Sequence, residues 1–401
     1  MLSNMSIDPR LRVLYLLGIA VGVFFVHDFW QLGAVLAVQV ALWFVVRLPA
    51  GRLLRQIVKL WAFGLFVVAT YAVFEQDPET DRWVRYMVLG LEIPINMSGI
   101  VEGAAMLLRL VTVVLASQVA RAGDPRAIVQ GLQRLRVPAS IALSLDIVLA
   151  LLGDNKGGGR GTGGGGGRGR RESEGDSFWQ SVKRLARGDV SPVVKRIETQ
   201  IARAEEHASE APPDLRRDVA VVAGIALTML AIKALKVLPS IPFAPGHKLV
   251  LLTPLYIVAA VLTRSRWGAT LTGLTMGTVA FLMGDGRYGI FEVLKHITPG
   301  LICDALMPLM LRREPLPGGV AWSLFGGLIA AGRFATIFAV TLVMQPPAFA
   351  WAILAPGLAV NVFFGVASGY VSYHVVRAAL RMRDARERPS KKRETKKDAA
   401  E

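Results

Sequence analysis

Residues 178–217 read FWQSVKRLARGDVSPVVKRIETQIARAEEHASEAPPDLRR, a polar and basic block between two almost wholly apolar halves of a 401-residue chain. Within it, Val194, Ile197 and Ile201 recur at three- and four-residue steps among charged residues, which predicts amphipathic helices. Pro212-Pro213 ends the second of these helices. Because a bilayer core rejects so many charges, we predict that the block is a cytoplasmic element coupling the two halves.

The composition around this block is typical of a membrane protein. Hydrophobic residues make up 53% of the chain and charged residues 19%, and the mean hydropathy is +0.45. Several apolar runs reach the roughly 20 residues that a spanning helix needs. The predicted fold class is therefore an all-α polytopic membrane protein. The distribution of Lys and Arg predicts a multi-pass protein of the cell's inner (cytoplasmic) membrane, with both termini cytoplasmic.

Alternating basic and non-basic connections set the predicted number of spans. The apolar run Ala139–Leu152 is short and carries Asp146, so we predict a helix buried in the coupling domain or lying at the membrane interface. Four spans precede it and six follow the polar block: Val13–Val26, Leu32–Val46, Leu60–Phe74 and Ile100–Val119, then Val219–Leu238, Leu249–Leu262, Gly268–Gly284, Ile290–Leu311, Val320–Met344 and Ala348–Val376.

Several other functions are disfavoured by sequence. The net charge is +16, but Lys and Arg cluster between apolar runs, and the glycine tract Gly153–Arg171 lacks interleaved aromatics, so we predict a flexible linker and no nucleic-acid partner. A single cysteine, Cys303, excludes an internal disulfide and a Cys-rich metal motif. Nucleotide-binding loops, nucleophile elbows and His-Glu-x-x-His motifs are absent. We therefore predict no enzymatic activity, no metal site and no cofactor in this chain.

Five short motifs in the first half occur in a recognisable order. They are Ile7-Asp8-Pro9-Arg10-Leu11-Arg12, Leu48-Pro49, Leu107-Leu108-Arg109-Leu110, the segment from Asp124-Pro125 through Gly131-Leu132-Gln133-Arg134-Leu135-Arg136-Val137-Pro138, and Lys183-Arg184-Leu185-Ala186-Arg187-Gly188. In these motifs the chain resembles the transmembrane, or T, component of energy-coupling-factor (ECF) transporters, which are vitamin and metal importers driven by ABC-type ATPases.

The resemblance implies that Ala186, Arg187 and Gly188 contact the groove of an ATPase. It also implies two ABC-type ATPase subunits as partners, with ATP and Mg bound on those chains. The family's second Ala-Arg-Gly is replaced here by Ser209-Glu210-Ala211-Pro212-Pro213. Arg203, or Arg216 and Arg217, would then substitute for it.

The second half resembles the six-helix substrate-binding, or S, component of the same transporters. The resemblance lies in Gly273–Gly286 and in Pro299-Gly300-Leu301-Ile302-Cys303-Asp304. It implies a natural fusion of a T component, with about four spans plus coupling helices, to an S-like bundle. The predicted segments are a T-component membrane part, a linker, coupling helices, a substrate-binding domain and a basic cytoplasmic tail: residues 1–152, 153–177, 178–213, 214–376 and 377–401.

Polar and ionisable residues inside the spans of the second half mark a candidate substrate site, because a charge in the bilayer must face protein or water. Arg333 would pair with an anionic substrate group, or would instead neutralise Asp304 or Glu292. Glu292 and His296 lie four residues apart, on one face of a helix. They would form part of a substrate rim, act as a pair of metal ligands, or serve as buried hydrogen-bonding groups. Asn361 lies in the last span. In the first half, Glu102 and Arg109 are interpreted as structural.

These features predict a membrane subunit of an ECF-type ABC importer that binds a small, vitamin-like micronutrient. An organic substrate is favoured over a metal because the amino terminus has no His-rich ligand set. The alternative is an intramembrane enzyme acting on a lipid or polyprenyl substrate. A third hypothesis is a membrane scaffold without a substrate, in which Arg333 and Asp304 are purely structural.

Overall fold

The computed structural model describes residues 8–74, 77, 79–88, 91–123, 126–157, 191–234, 249–284, 289–312 and 317–398. It contains two compact units, described separately below. The first consists of Met1–Ala142, Gly277–Lys295 and Phe334–Gly357, and the second consists of Leu143–Met276, His296–Arg333 and Leu358–Glu401.

The chain begins with helices whose starts follow from local capping chemistry. Pro9 occupies the first turn of α1, and the Asp8 carboxylate accepts a hydrogen bond from the Arg10 amide at 2.8 Å. Asp28 caps α2 in the same way by accepting from the Trp30 amide at 2.9 Å. The helices up to the glycine tract are α1 (Pro9–Gly22, extended by the 3-10 turn Val23–Phe25), α2 (Phe29–Val45), α3 (Ala50–Val73), α4 (Met97–Ala120), α5 (Ala127–Arg134) and α6 (Ala139–Gly157).

A β-hairpin, which was not predicted from the sequence, joins α3 to α4. Its strands are β1 (Trp83–Val88) and β2 (Leu91–Asn96), paired antiparallel from Trp83↔Asn96 to Val88↔Leu91. Trp83, Val84, Tyr86 and Val88 are aromatic or β-branched, and such residues are enriched in strands. Asn96 ends the hairpin and caps α4, with its side-chain oxygen accepting from the Gly99 amide at 3.0 Å.

From residue 191 onward, the described ranges of the chain consist of helices. They are α7 (Ser191–His207, followed by the 3-10 turn Ala208–Glu210), α8 (Pro213–Ala234), α9 (Leu249–Leu262), α10 (Gly268–Leu282), α11 (Phe291–Leu311), α12 (Gly319–Met344) and α13 (Pro347–Asp398). A helix is present at each of the ten predicted spans. The last one continues to Asp398, beyond Arg377, where the sequence predicted the start of a tail.

Four of the described helices are long and apolar enough to cross a membrane: Met97–Ala120, Phe291–Leu311, Gly319–Met344 and Pro347–Arg381. A fifth is added if the two parts of α3, bent by 43°, form one span. Four further apolar helices in the described ranges are shorter: Phe29–Val45, Ala139–Gly153, Leu251–Leu262 and Gly268–Leu282. The predicted all-α polytopic membrane fold is confirmed, whereas its division into four and six spans stays a prediction.

The core of the first unit forms where α1 and α2 pack on α4. Small residues on α4 allow these helices to approach, and the contacting side chains bury almost completely. A second cluster joins α3 to α4. The buried residues are Val13, Leu16, Ala20, Val23, Leu32, Ala105, Val113, Ala116, Ala120, Ile128, Phe281 and Leu282 in the first cluster, and Val67, Tyr71, Met106, Leu110, Val340 and Met344 in the second.

Candidate functional site

Two arginines in the first unit bind the carboxyl ends of each other's helices. Arg12 of α1 donates from Nη1 to the carbonyl oxygen of Ala122, just after α4, at 2.7 Å. Arg109 of α4 donates from Nη2 to the carbonyl oxygen of Val26, just after the turn that extends α1, at 2.9 Å. The last carbonyls of a helix lack partners within the helix and carry its negative dipole end, so a guanidinium there is stabilising. The structure thus supports a structural interpretation of Arg109.

Helix α5 contacts the beginning of α1 through two further motif residues. A Cβ atom added to Gly131 would lie 2.2 Å from the carbonyl oxygen of Pro9, so only glycine fits at this crossing. Beside it, Arg134 forms an ion pair with Asp8 at 3.3 Å. The Arg10 amide, assisted by Arg134, holds the pKa of the Asp8 carboxyl below its usual value. The first and fourth motifs of the family resemblance therefore meet in space.

The predicted coupling residues Ala186, Arg187 and Gly188 lie outside the described residues. Arg203 lies on α7, where its side chain is exposed, and its carbonyl oxygen is 3.0 Å from Nδ1 of His207. The predicted amphipathic pattern is present on this helix, because its apolar residues Ile197, Ile201 and Ala204 are buried, as is Ala208 in the turn that follows. Arg203 is therefore accessible to a partner.

Helices α7 and α8 form a helical hairpin within the second unit. Their backbones approach closely where Gly224 of α8 meets Ile201 of α7. A Cβ atom added to Gly224 would lie 2.7 Å from the Ile201 Cα. The exposed face of α7 is thereby rigidly connected to the first helix of the second half.

Two buried carboxylates of the second unit bind the corner between α9 and α10. Asp218 of α8 accepts hydrogen bonds from the backbone amides of Arg264 and Ser265, both at 2.8 Å. Asp304 of α11 accepts from the Ala269 amide at 3.1 Å and from the amide and hydroxyl of Thr270, each at 2.7 Å. These amides belong to a loop and to the first turn of α10, where donors lack helical partners. Both oxygens of Asp304 are thus engaged inside the protein, which favours a structural role.

All five predicted substrate residues are buried. Glu292 belongs to the first unit and forms an ion pair with Lys295 at 2.7 Å. The other four belong to the second unit, where His296 Nδ1 lies 3.1 Å from the Tyr256 hydroxyl. Arg333 is 6% exposed and Asn361 fully buried. Their joint action as a substrate site stays a prediction.

Sequence reasoning missed Asp218, Tyr256 and the role of Arg12. For Asp218 a signal existed, because it is the last charge before the apolar run of α8. Tyr256 lies in a uniformly apolar helix with no distinguishing pattern. In the part of the chain that the structure describes, no group of three or more His, Cys, Asp or Glu side chains is arranged to hold a metal ion.

Comparison with known proteins supports a transport function for the first half. The family model "CbiQ: Cobalt transport protein" matches residues 3–152. No curated protein and no solved structure matches the chain. The matched region contains α1 to α5, most of α6, both arginine caps and the contact of α1 with α5. The resemblance of residues 214–376 to an S component stays a prediction. Residues 3–152 are therefore similar to the cobalt transport protein family CbiQ, the T component of ECF transporters.

Proposed function

We propose that this chain is the membrane subunit of an ECF-type ABC importer of the inner membrane, with both termini cytoplasmic. Its second half binds a small, vitamin-like micronutrient, and two separate ATPase subunits supply the energy. The observation that carries most weight is the CbiQ match over residues 3–152. In the same region, residues of the motifs that carry the resemblance form direct contacts, such as Gly131 with Pro9 and Arg134 with Asp8.

Coupling in this proposal proceeds through the hairpin of α7 and α8. An ATPase that moves α7 also moves α8, because the two backbones are in contact at Ile201 and Gly224. Asp218 then transmits the displacement to the corner between α9 and α10 through its two hydrogen bonds at 2.8 Å. Arg187 and Arg203 are the proposed ATPase contacts, since a guanidinium offers a rigid fork of donors to carboxylates and carbonyls.

Substrate binding is proposed for the second half, with Arg333 as the partner of an anionic substrate group. Arg333 is buried in α12 beside small residues in the sequence Ala330-Ala331-Gly332-Arg333. Glu292, His296 and Asn361 would supply further polar contacts, and Asp304 would position α10. The alternative of an intramembrane enzyme acting on a lipid or polyprenyl leaves the CbiQ match and the α7–α8 hairpin without a role.

Co-purification tests the proposal. The full chain, extracted from its native membrane, is expected to retain ABC-type ATPase subunits and their ATP hydrolysis. Deletion of residues 178–217, or the charge reversal Arg187→Glu, should remove them. Arg85→Glu is the matched control, because Arg85 is exposed on the hairpin that the predicted topology places outside the cell. Equal ATPase recovery with all variants, or no ATPase with the intact chain, would refute the proposed coupling.

A further inference from the structure

The corner between α9 and α10 presents an unusual set of side chains. Its sequence is Thr263-Arg264-Ser265-Arg266-Trp267, between two apolar helices of the second unit. The side chains of Arg264 and Arg266 are exposed, and Trp267 is 46% exposed. Two arginines and a tryptophan are thus exposed at a point where two apolar helices meet.

Hydrogen bonds from buried side chains fix the backbone of this corner. Asp218, itself 7% exposed, binds the amides of Arg264 and Ser265, and Thr263 donates to the carbonyl oxygens of Ala259 and Ser265 at 2.8 and 3.3 Å. The Trp267 amide donates to the Ser265 hydroxyl at 3.2 Å. A rigid backbone lowers the entropy lost when the outward side chains bind a ligand.

Among the described residues, no acidic side chain neutralises the positive charges of the corner. Within the ranges that the structure describes, neither the Arg264 nor the Arg266 guanidinium has a carboxylate or carbonyl partner. The Arg266 guanidinium carbon lies 5.7 Å from the centre of the Trp267 ring, which orders the two side chains without neutralising the arginine. The Asp218 charge is directed at two backbone amides and is shielded from solvent.

We infer that this corner, defined by Arg264, Arg266 and Trp267, binds the headgroup of an anionic phospholipid in the cytoplasmic leaflet. Tryptophan prefers the level of the headgroups, where its ring is partly apolar and its N–H is hydrated. Guanidinium groups bind phosphate oxygens through paired hydrogen bonds. The positive-inside distribution predicts that the corner is cytoplasmic, where anionic lipids attract basic residues. This inference does not rest on the proposed transport function.

A soluble partner with an acidic surface, such as an ATPase, is the competing occupant. An exposed tryptophan at the end of two apolar helices favours lipid, because a lipid accommodates both the ring and the charges. The two occupants make different predictions for the purified chain. A lipid site binds in the absence of any other protein, whereas a protein-docking surface does not.

Proteoliposomes containing the full chain provide the test. The bilayer is phosphatidylcholine, with an increasing share of phosphatidylglycerol whose acyl chains carry bromine, a quencher of tryptophan fluorescence. The quenching due to Trp267 is obtained by subtracting the signal of Trp267→Phe. The double variant Arg264→Gln/Arg266→Gln is compared with Arg52→Gln/Arg55→Gln, which removes two exposed arginines from another connection predicted to be cytoplasmic.

The inference predicts that brominated phosphatidylglycerol quenches Trp267 fluorescence more strongly than brominated phosphatidylcholine does at the same share of the bilayer. The corner double variant should weaken this preference by about 30-fold, since each basic residue near an anionic surface contributes about a factor of five. The control pair should retain the preference. Equal quenching by both lipids, or an equal loss of the preference in both double variants, would overturn the inference. So would a corner double variant that keeps the lipid preference but no longer co-purifies with an ATPase from native membranes.

Discussion

Helix ends are held by opposite charges in the two units of this protein. In the first unit, Arg12 and Arg109 bind the carbonyl oxygens that follow α4 and α1. In the second unit, Asp218 and Asp304 bind amides at the corner between α9 and α10. In each case a charged side chain of one helix binds backbone groups at the end of another.

The difference follows from which end of a helix needs a partner. Free carbonyls at a carboxyl end call for a donor, and free amides at an amino end or in a loop call for an acceptor. A charge inside the membrane region is therefore not by itself a substrate contact. Asp304, predicted as a substrate residue, has the geometry of a helix cap, whereas Arg333 remains the best candidate for binding an anion.

The largest effect is expected for Asp304→Ala. The substitution leaves the two amides of Ala269 and Thr270 and one hydroxyl without an acceptor, which should lower the free energy of unfolding by about 4 kcal/mol. Thr270→Val is the matched variant, because it removes one hydrogen bond and leaves the amides bound, at a cost of about 1 kcal/mol. Thermal unfolding in detergent measures both. An Asp304→Ala protein that unfolds like the parent but fails to bind substrate would show that Asp304 is a substrate residue instead.

A smaller effect is expected for Gly131→Ala in the first unit. The added methyl group would lie 2.2 Å from the Pro9 carbonyl oxygen, so α5 must move away from α1. Overpacking of this kind costs about 2 to 3 kcal/mol. The control is Gly33→Ala on α2, where the added Cβ has no neighbour within 4 Å. If the two variants unfold at the same temperature, the close contact of α1 with α5 is wrong.

Arg109→Met tests the arginine cap directly. The change keeps an unbranched side chain but leaves the Val26 carbonyl oxygen without its charged donor, which should cost about 2 kcal/mol in detergent. Arg109→Lys retains the charge and should recover part of this loss. Loss of transport at unchanged unfolding temperature would mean that Arg109 has a role beyond capping.

The smallest effect is expected for Arg85→Gln on the hairpin. Arg85 and Glu92 are 3.6 Å apart and both largely exposed, so their ion pair contributes only about 0.3 kcal/mol. With added salt, the difference between variant and parent in the free energy of unfolding, measured by thermal unfolding in detergent, should be near zero. If Arg85→Gln lowered the unfolding temperature as much as Arg109→Met does, an exposed ion pair would matter as much as a helix-end contact. The proposed ranking of these variants would then be wrong.

Hydropathy and charge alternation predicted where the helices lie, because each helix must bury apolar surface in lipid or protein whatever its neighbours are. The hairpin Trp83–Asn96 was not predicted, although the alternating apolar residues Leu91, Ile93 and Ile95 of its second strand are a strand signal. The helix-end contacts were not predictable, since Arg109 and Val26 are 83 residues apart in sequence. No local pattern specifies which carbonyl an arginine will reach.

The candidate site was predicted less completely than the fold. Burial of Glu292, His296, Asp304, Arg333 and Asn361 agrees with their positions inside apolar runs. The distinction between a cap and a ligand depends on the geometry of neighbouring helices, as Asp304 and Thr270 illustrate. The coupling residues Ala186 to Gly188 rest on the family resemblance alone.

Cross-linking at position 187 tests the central claim most directly. The natural cysteine, Cys303, is buried, so Arg187→Cys introduces a selectively reactive thiol in the full chain. With a thiol-specific photo-cross-linker in native membranes, we expect an adduct with an ABC-type ATPase, identified by its nucleotide-binding motif in mass spectrometry. Arg85→Cys should give none. Absence of the ATPase adduct at position 187, or equal adducts at both positions, would contradict ATPase coupling through this block.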